Sequence, residues 1–368
     1  MIVRPLTEYC TLNMGQSPDS KTYNTQGKGL PFYQGNADFG ETHPITHVWC
    51  SAPVKVAEDG DILISVRAPI GAMNMAVERC CIGRGLAALT PIRNKCSKQF
   101  LYYALQSKVD SLIAQGTGST FKAISKKVLE ATCIPAYSTT EQEQIAETID
   151  HVDNTIAARR KQLALLDQLV KSRFIELFGE PLSNQKGWQT MSIVEAAPIK
   201  SQRGDLADEV WLLNLDAVEA QTGTVLFKHR VQSGEINAST VYFTAESVLY
   251  SKLRPYLNKV VMPDEDGVAT SEMIPMYPLA DRLNRAYLCY WLRSDAFVRH
   301  ISEKVAGAKM PRVSMDYFRS LAIEMPPLEL QEQFATFVEQ TDKSKLAVQK
   351  GLQELEILKK SLMQQYFG

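Results

Sequence analysis

Residues 143–146 read Glu-Gln-Ile-Ala, and residues 332–335 read Glu-Gln-Phe-Ala, an offset of 189 positions. The same relation continues upstream with small gaps, where residues 101–107 resemble residues 288–294. A period this long greatly exceeds the roughly 20–50 residues of a solenoid unit. The repeat therefore predicts a duplicated half-protein, in which a globular part followed by a helix occurs twice.

Each copy of the repeat opens a long stretch of helical periodicity. Apolar residues recur every three or four positions from Ile145 to Ile156 and again from Leu163 to Leu177, and a similar stripe runs from Phe334 to Leu362, which predicts one apolar face on each helix. Narrow stripes on two long helices favour pairing as a coiled coil, although each helix could instead lie across its own domain. The predicted helix–helix interface comprises Ile145, Ile149, Val152, Ile156, Leu163, Leu166, Val170, Phe334, Val338, Val348, Leu352, Leu355 and Leu362.

Start and stop signals delimit these two helices. Thr139 or Thr140 is the predicted N-cap of the first helix, because glutamates follow it closely. Gly179, followed by Pro181, predicts where that helix ends. Pro326-Pro327 predicts the start of the second helix, which continues to the last residues of the sequence.

The segments between the long helices have a mixed pattern. Residues 60–67 and 241–243 are short β-like runs bounded by glycine, proline and asparagine. One further helix is predicted in each copy, near 98–114 and near 284–303. Each globular part is therefore predicted to be an α+β domain rich in loops.

Composition places the chain among ordinary globular proteins. Its 368 residues are 45% hydrophobic and 22% charged, with a net charge of −1, which fits two or three domains and argues against a generic polyelectrolyte binder. No apolar run approaches the ~20 residues of a membrane span, and the first residues lack a signal-peptide core. The seven cysteines contain no C-x-x-C pair and suit a reducing compartment. We therefore expect a soluble, cytoplasmic protein.

Motifs of catalysis are weak throughout the sequence. No G-x-x-x-x-G-K-[ST] loop is present, and Gly83-Arg84-Gly85 is too short a pattern to indicate a nucleotide site. His43, His47 and Cys50 offer three metal ligands, whereas structural zinc sites nearly always have four. No histidine stands in a recognisable constellation with serine or cysteine. We therefore expect no catalytic residues and no metal site; a self-contained methyltransferase would need a pocket for the methyl donor.

Several segments carry a resemblance to a known family. Residues 29–39 form a glycine-Pro-aromatic opening segment, and residues 60–67 form a Gly-Asp-apolar-Leu-apolar-Ser strand. Residues 134–145 place a proline before Glu-Gln-Ile, and the closing Glu-Leu-Phe-Gly at 176–179 is echoed at 365–368. In these features and in the order domain, helix, domain, helix, the chain resembles the specificity (S) subunit of type I restriction–modification systems over essentially its full length. The second copy departs from the pattern, because it lacks the Gly-Asp pair before Val248.

This resemblance implies a specific architecture. The fold would be α+β, with two similar globular target recognition domains separated by two long helices that form an antiparallel coiled coil with pseudo-two-fold symmetry. The implied regions are target recognition domain 1 at 1–137, the central helix at 138–180, target recognition domain 2 at 181–327 and the C-terminal helix at 328–368.

The resemblance also implies a function and partners. Each globular domain would read one half of a bipartite, asymmetric sequence in double-stranded DNA, and the helices would set the spacing. Two methyltransferase subunits would dock on this chain, and restriction motor subunits would join the complex. S-adenosylmethionine, ATP and Mg²⁺ would then belong to the partner subunits. The alternative is a scaffold whose helices recruit proteins and whose domains bind no DNA.

Candidate DNA-binding residues follow from side-chain chemistry. Cations beside glycine, proline or hydroxyl residues suit phosphate contacts, and amides and hydroxyls suit base edges; a solvated surface charge is the alternative interpretation for each cation. Residues that read sequence should differ between the copies, whereas Ser65, Ser125, Gly118 and Gly307 lie at positions that recur and are predicted to support the fold. The candidates are Lys28, Gln34, Asn36, Arg67, Arg84, Thr117, Ser119, Thr120, Lys122, Arg203, Lys252, Arg254, Lys309 and Arg312.

Overall fold

The computed structural model divides the chain into two compact units. It describes residues 2–118, 122–200, 207–236, 239–307 and 309–368. Unit 1 comprises residues Met1–Arg159 together with Gly351–Gly368, and unit 2 comprises Arg160–Lys350. Each unit therefore contains part of both long helices. The four predicted regions, with boundaries at 137, 180 and 327, stay a prediction.

The described residues of unit 1 form short strands and short helices that precede the first long helix. Strands β2, β10, β7 and β8 form one sheet in that order, and strands β3, β5, β4, β9 and β6 form a second, in which β4 and β9 run parallel. Strand β1 pairs antiparallel with β11. The elements are β1 (Val3–Pro5), β2 (Cys10–Met14), β3 (Tyr23–Asn24), β4 (Leu30–Tyr33), β5 (Trp49–Cys50), β6 (Val56–Ala57), β7 (Ile62–Ser65), β8 (Met73–Met75), β9 (Cys80–Ile82), β10 (Leu86–Pro91), α1 (Lys98–Ser107), α2 (Val109–Ala114), α3 (Lys126–Ala131), β11 (Cys133–Pro135) and the long helix α4 (Thr139–Phe178).

Strand β7 lies between β10 and β8 in its sheet and is buried along its whole length. Ile62 and Ile64 pack with Phe100 of α1 in one apolar cluster, whereas Leu63 packs with Ile82 in another. Because successive side chains of a strand point to opposite faces, both faces of β7 are covered. A continuous apolar run, rather than alternation, is what a strand covered on both faces requires.

Unit 2 repeats much of this arrangement. Strands β14, β13, β18 and β15 form one sheet, in which β13 and β18 run parallel, and strands β17, β16 and β19 form another. Strand β12 pairs with β22, and β20 pairs with β21. The elements are β12 (Gln189–Ser192), α5 (Ile193–Ala196), β13 (Glu209–Leu213), β14 (His229–Gln232), β15 (Thr240–Phe243), β16 (Val248–Ser251), β17 (Val260–Val261), β18 (Gly267–Thr270), β19 (Met273–Met276), α6 (Arg285–Arg293), α7 (Asp295–Ser302), β20 (Val305–Ala306), β21 (Arg312–Val313), α8 (Met315–Ser320), β22 (Ala322–Met325) and the long helix α9 (Leu328–Phe367).

The predicted ends of the long helices are largely confirmed. Helix α4 ends at Phe178, followed by Gly179 with φ +82°, and α9 begins directly after Pro327. The predicted N-cap was wrong by one residue, because Ser138 takes that role. Its Oγ accepts a hydrogen bond from the Glu141 amide at 3.3 Å, and the Glu141 carboxylate accepts one from the Ser138 amide at 2.8 Å. This reciprocal pair is a capping box.

The single short helix predicted in each copy is a pair of helices in the structure. Helix α2 starts beyond Lys108, and α7 starts beyond Ser294. The Ser294 side chain accepts a hydrogen bond from the Phe297 amide at 3.2 Å. Because serine at an N-cap satisfies amides that a helix start leaves unpaired, it favours a new helix at that point over continuation of α6.

Segments of α4 and α9 run antiparallel within each unit. In unit 1, Lys359 Nζ lies 2.7 Å from Asp153 Oδ1, and Phe367 shares a core cluster with Ile145. In unit 2, Lys345 Nζ lies 2.7 Å from Asp167 Oδ1, and the ring centroids of Phe334 and Phe178 are 5.6 Å apart. In both units, the end of one helix thus lies against the beginning of the other.

The predicted interface residues are buried to different degrees. Those near the helix ends join the globular cores: Ile145 and Ile149 pack with Leu101, and Val170 and Phe334 share a cluster with other side chains of unit 2. The start of each long helix therefore packs on the globular part that precedes it, whereas its end packs on the other globular part, so neither helix lies across its own domain alone. Buried members of the set are Ile145, Ile149, Val152, Ile156, Val170, Phe334, Val338 and Val348, and partly buried members are Leu163, Leu166, Leu352, Leu355 and Leu362.

Candidate functional site

Four loops meet at the end of β7 in unit 1. The Val66 amide donates to Gly85 O at 2.9 Å, and Val66 O accepts from the Ile124 amide at 2.9 Å. The Gly85 amide in turn donates to Gln34 O at 3.2 Å. These bonds join the loops at 34–36, 66–72, 83–85 and the described part of 117–124 into one surface, which we call the unit 1 loop cluster.

Glycines permit this close approach of backbones. A Cβ atom on Gly85 would lie 2.4 Å from Gln34 O, and one on Gly15 would lie 2.2 Å from Gly83 O. Neither distance is compatible with a side chain, so larger residues would push the loops apart. The segment at residues 15–17 also joins the loop cluster, because the Arg84 amide donates to Ser17 Oγ at 3.3 Å.

The loop cluster of unit 1 presents polar and basic side chains to solvent. Gln34, Arg67, Arg84, Thr117 and Lys122 are all exposed. The structure therefore brings these five predicted residues onto one continuous set of loops. Amide and guanidinium groups here can pair with hydrogen-bonding ligands, and the cations can attract anions.

Two other candidates of unit 1 are placed differently, because Asn36 belongs to the loop cluster but is partly buried and Lys28 lies outside it. Asn36 is only partly exposed and lies in a turn that Asp38 closes, since the Asp38 carboxylate accepts from the Gln34 amide at 2.6 Å and from the Gly35 amide at 3.3 Å. Lys28 precedes the first residue of β4, whereas Gln34 follows the last residue of β4, so the two residues lie at opposite ends of this strand. A hydrogen bond of 2.8 Å from Asn24 Nδ2 to Lys28 O holds its turn. The structure therefore does not place Lys28 in the loop cluster.

Unit 2 contains a matching arrangement at the end of β16. The Lys252 amide donates to Glu272 O at 3.0 Å, and Lys252 O accepts from the Val313 amide at 3.0 Å. Lys252 thus takes the place of Val66, while Glu272 and Val313 take the places of Gly85 and Ile124. We call these joined loops, 252–258, 270–273 and the described part of 305–313, the unit 2 loop cluster.

The candidates of unit 2 lie in this cluster. The Arg254 amide donates to Pro311 O at 2.8 Å, and both Arg254 and Lys309 are exposed. Arg312 forms a two-pronged ion pair with Glu272, with Nε at 3.0 Å and Nη2 at 2.8 Å from Oε1. This carboxylate raises the pKa of the Arg312 guanidinium above its usual value. The sequence predicts Arg312 as a phosphate contact, and the structure pairs its guanidinium with the carboxylate of Glu272.

Three of the four predicted fold-supporting residues, Ser65, Gly118 and Gly307, have that role. Ser65 Oγ donates to Arg67 O at 2.9 Å, and Ser251 Oγ donates to Leu253 O at 3.0 Å, in both cases from the buried last residue of a strand, β7 or β16. Gly118 and Gly307 have φ values of +128° and +98°, which favour glycine. Ser119, Thr120 and Arg203 lie outside the described residues.

Sequence reasoning missed several residues of these clusters. Ser17 and Glu272 belong to them through contacts with Arg84 and Arg312. No local motif marks either residue, because each is brought in by a partner distant in sequence. The only signal for Glu272 is its equivalence to Gly85, and that equivalence follows from comparing the hydrogen bonds of the two units.

Neither a cluster of metal ligands nor a membrane-spanning helix occurs among the described residues. No group of three or more His, Cys, Asp and Glu side chains in them could hold a metal ion, and His43 Nδ1 instead lies 3.0 Å from Met75 O. Along the same residues, no helix combines the length and apolarity that crossing a bilayer would take.

Comparison with known proteins matches most of the chain to one family. The family model described as type I restriction modification DNA specificity domain matches residues 1–168 and again residues 185–357. The chain is 41% identical over 164 residues to the putative type I restriction enzyme MjaX specificity subunit of Methanocaldococcus jannaschii, which is 45% of this chain and 39% of that protein. The chain thus spans about two fifths of the length of that relative.

Two further proteins match over a greater length. The type I restriction enzyme MjaIX specificity subunit of the same organism is 23% identical over 391 aligned residues, covering 95% of this chain and 88% of that one. The crystal structure of the type I restriction–modification system S subunit from M. genitalium matches with a TM-score of 0.61 at 16% identity, covering 100% of this chain and 96% of that one. This structural likeness shows that the fold is shared.

Proposed function

The chain belongs to the family of type I restriction modification DNA specificity domains, and from this membership we propose that each of its units reads one half of a bipartite, asymmetric DNA target. The observation that carries the proposal is the recurrence of the loop cluster. The backbone hydrogen bonds of Val66 recur at Lys252, while the side chains around them differ. A common frame with different exposed side chains is what two readers of unlike half-sites require.

The chemistry of the unit 1 loop cluster suits DNA. Arg84 can donate two hydrogen bonds to a guanine edge, and Gln34 can pair with an adenine edge, in the major groove. Arg67 and Lys122 can position the unit by contacts with phosphates, which carry no sequence information. In this assignment Gln34 and Arg84 determine which DNA sequence is bound, whereas Arg67 and Lys122 increase the affinity for any DNA sequence.

The long helices would set the distance between the half-sites. We assign them to an antiparallel coiled coil with pseudo-two-fold symmetry, which the antiparallel contacts within each unit support. A helix of 40 residues measures about 60 Å at ~1.5 Å per residue. That is enough to separate two half-sites by at least one DNA turn of ~34 Å.

The outer faces of these helices would receive partner subunits. Leu165, Leu169 and Leu346 are 54%, 49% and 66% exposed, and Ile357 is 69% exposed. Leu165 and Leu169 lie one helical turn apart on the same face of α4, and exposed apolar side chains grouped in this way favour a protein partner. We assign this surface to two methyltransferase subunits, to which restriction motor subunits would add. Catalysis, with S-adenosylmethionine, ATP and Mg²⁺, would belong to those partners, and this chain would supply specificity.

Methylome sequencing of a host with and without this chain tests the proposal. We expect a split, asymmetric adenine-methylation motif that disappears when the chain is deleted. If the chain were a scaffold that binds no DNA, deleting it would leave the set of methylated sites unchanged. Salt titration of the purified complex adds a second readout, because phosphate contacts make log K fall linearly with log[salt]. An affinity for DNA that does not change with salt would contradict the proposal.

A further inference from the structure

Arg312 and Glu272 form an ion pair that is present in one unit only. They occupy the positions that Ala123 and Gly85 occupy in unit 1, since the Lys252 amide donates to Glu272 O as the Val66 amide does to Gly85 O. Arg312 pairs with Ala306 across β20 and β21, as Ala123 pairs with Thr117. Two positions that carry almost no side chain in unit 1 thus carry a charged pair in unit 2.

Folding stability does not account for this pair. The side chain of Arg312 is 42% exposed and that of Glu272 is 20% exposed, and ion pairs near the surface add little to stability. The backbone hydrogen bonds that hold the cluster together are the same in unit 1 without it. The loop cluster therefore does not require this ion pair in order to form.

The geometry of the pair leaves one edge of the guanidinium available. Glu272 binds the Nε and Nη2 side of Arg312, and Nη1 contacts Met310 O at a long 3.4 Å. The remaining N–H groups of Nη1 and Nη2 form the edge that pairs with guanine O6 and N7 in the major groove. A carboxylate on the side of the guanidinium holds the long side chain in one orientation, so less rotamer freedom is lost on binding.

The surroundings of the pair also suit DNA. Lys252, Arg254 and Lys309 lie in the same loop cluster, and Arg254 is tied to the Arg312 strand through Pro311. The charge of Arg312 is largely balanced by Glu272, whereas these three cations add net positive charge around it. Phosphate contact is thus available from residues other than Arg312.

We infer that Arg312, held by Glu272, is a specificity-determining residue that reads a guanine in the half-site of unit 2. The inference rests on the proposed function and names a contact within it. Glu272 is the positioning residue, and its role is to present the guanidinium edge rather than to touch the base.

The test uses the complete complex, with this chain produced beside its methyltransferase partner, and maps methylated sites over a whole genome. The variants are Arg312→Ala, Arg312→Lys and Glu272→Gln, with Lys309→Ala as the matched control in the same loop cluster. We expect Arg312→Ala and Arg312→Lys to reduce discrimination by about tenfold or more at one G·C pair of one half-site, with the other half-site unchanged. Glu272→Gln should act at the same base pair but less strongly.

Lys309→Ala should lower methylation equally at all sites and leave the motif intact, as loss of a phosphate contact would. The same uniform loss in Arg312→Ala would make Arg312 a phosphate contact and overturn the inference, as would an unchanged motif. Should Arg312→Ala fail to fold, the motifs of Arg312→Lys and Glu272→Gln decide. A wild-type complex without any split motif would overturn the proposed function and this inference with it, whereas a split motif that survives all three variants would overturn only the inference.

Discussion

Gln142 and Gln331, separated by 189 residues in the sequence, make the same hydrogen bonds in their respective units. Gln142 Oε1 accepts from the Ser97 amide at 2.9 Å, and Gln331 Oε1 accepts from the Asn284 amide at 2.7 Å. Each Nε2 donates to two backbone carbonyls. Both side chains are fully buried. Each glutamine thereby ties the start of a long helix to the start of a short one.

Substitution of these glutamines is expected to destabilise the protein. Gln142→Ala would leave the Ser97 amide and two carbonyls without partners in a buried place, at a cost of about 2–4 kcal/mol in the free energy of unfolding. Urea-induced unfolding followed by circular dichroism measures the change. Gln144→Ala is the matched control, since Gln144 is exposed on the same helix and should change stability by less than about 0.5 kcal/mol. Equal effects of both variants would contradict the prediction.

Gly85→Ala is expected to abolish recognition by unit 1. The added Cβ would lie 2.4 Å from Gln34 O, so the loops at 34–36 and 83–85 must separate and Arg84 must move relative to Gln34. Methylome mapping should show loss of one half of the split motif. Gly35→Ala is the control, because a Cβ there meets nothing within 4 Å and its φ is −171°. A normal motif in Gly85→Ala would disprove the close contact.

Arg84→Ala is expected to change the base preference of the complex, whereas Lys122→Ala is expected to change only its affinity for DNA. Arg84→Ala should relax the base preference at one position of the unit 1 half-site by roughly 1–3 kcal/mol, since a bidentate contact with a base is lost. Lys122→Ala should weaken binding to all sequences and reduce the slope of log K against log[salt] by about 0.9. Binding titrations of the complex on matched and mismatched duplexes, at several salt concentrations, separate the two. A uniform loss in both variants would argue against base reading by Arg84.

Shortening both helices together is expected to shorten the spacer of the DNA target. Segments 163–169 and 343–349 lie around the ion pair of Asp167 with Lys345, and removal of both takes away seven residues from each helix, or about 10 Å. A heptad deletion preserves the apolar stripe. We expect a split motif with about 3 fewer base pairs in the spacer, given ~34 Å per turn of 10–10.5 bp. An unchanged spacer would mean that the helices do not set the distance.

Ser138→Ala is expected to weaken the start of α4. Loss of an N-cap serine costs about 1 kcal/mol, and the Glu141 carboxylate loses the hydrogen bond from Ser138 Oγ, the larger of the two Ser138 hydrogen bonds that lower its pKa, and keeps the one from the backbone amide. Because that pKa is lower in the folded state, the contribution of Glu141 is present above its unfolded pKa of ~4.3 and is lost as the pH falls through the lower pKa of the folded state. Urea midpoints at pH 7 and near pH 3 should therefore differ less in Ser138→Ala than in the wild type. Identical pH dependence would contradict this role.

The parts of the fold that were predictable depend on neighbours in sequence. The long helices were recognised from a stripe with a period of three to four residues and from Gly179 and Pro327, and their ends agree with the structure to within about a residue. The capping serine was missed because Ser138, Thr139 and Thr140 are all capable N-caps, and the choice depends on the geometry of the turn after β11. The split of the short helices was missed because apolar spacing continues through Lys108 and Ser294.

The sequence by itself determined the duplication, the two long helices and the glycine and serine positions that recur in both units, because periodicity and repetition are properties of the order of residues. Only the tertiary structure decided which loops meet. Val66 contacts Gly85 and Ile124, and Glu272 pairs with Arg312 forty residues away, because strand pairing between distant segments brings their ends together. Which side chains share a surface is set by those long-range pairings, and no local pattern in the sequence encodes them.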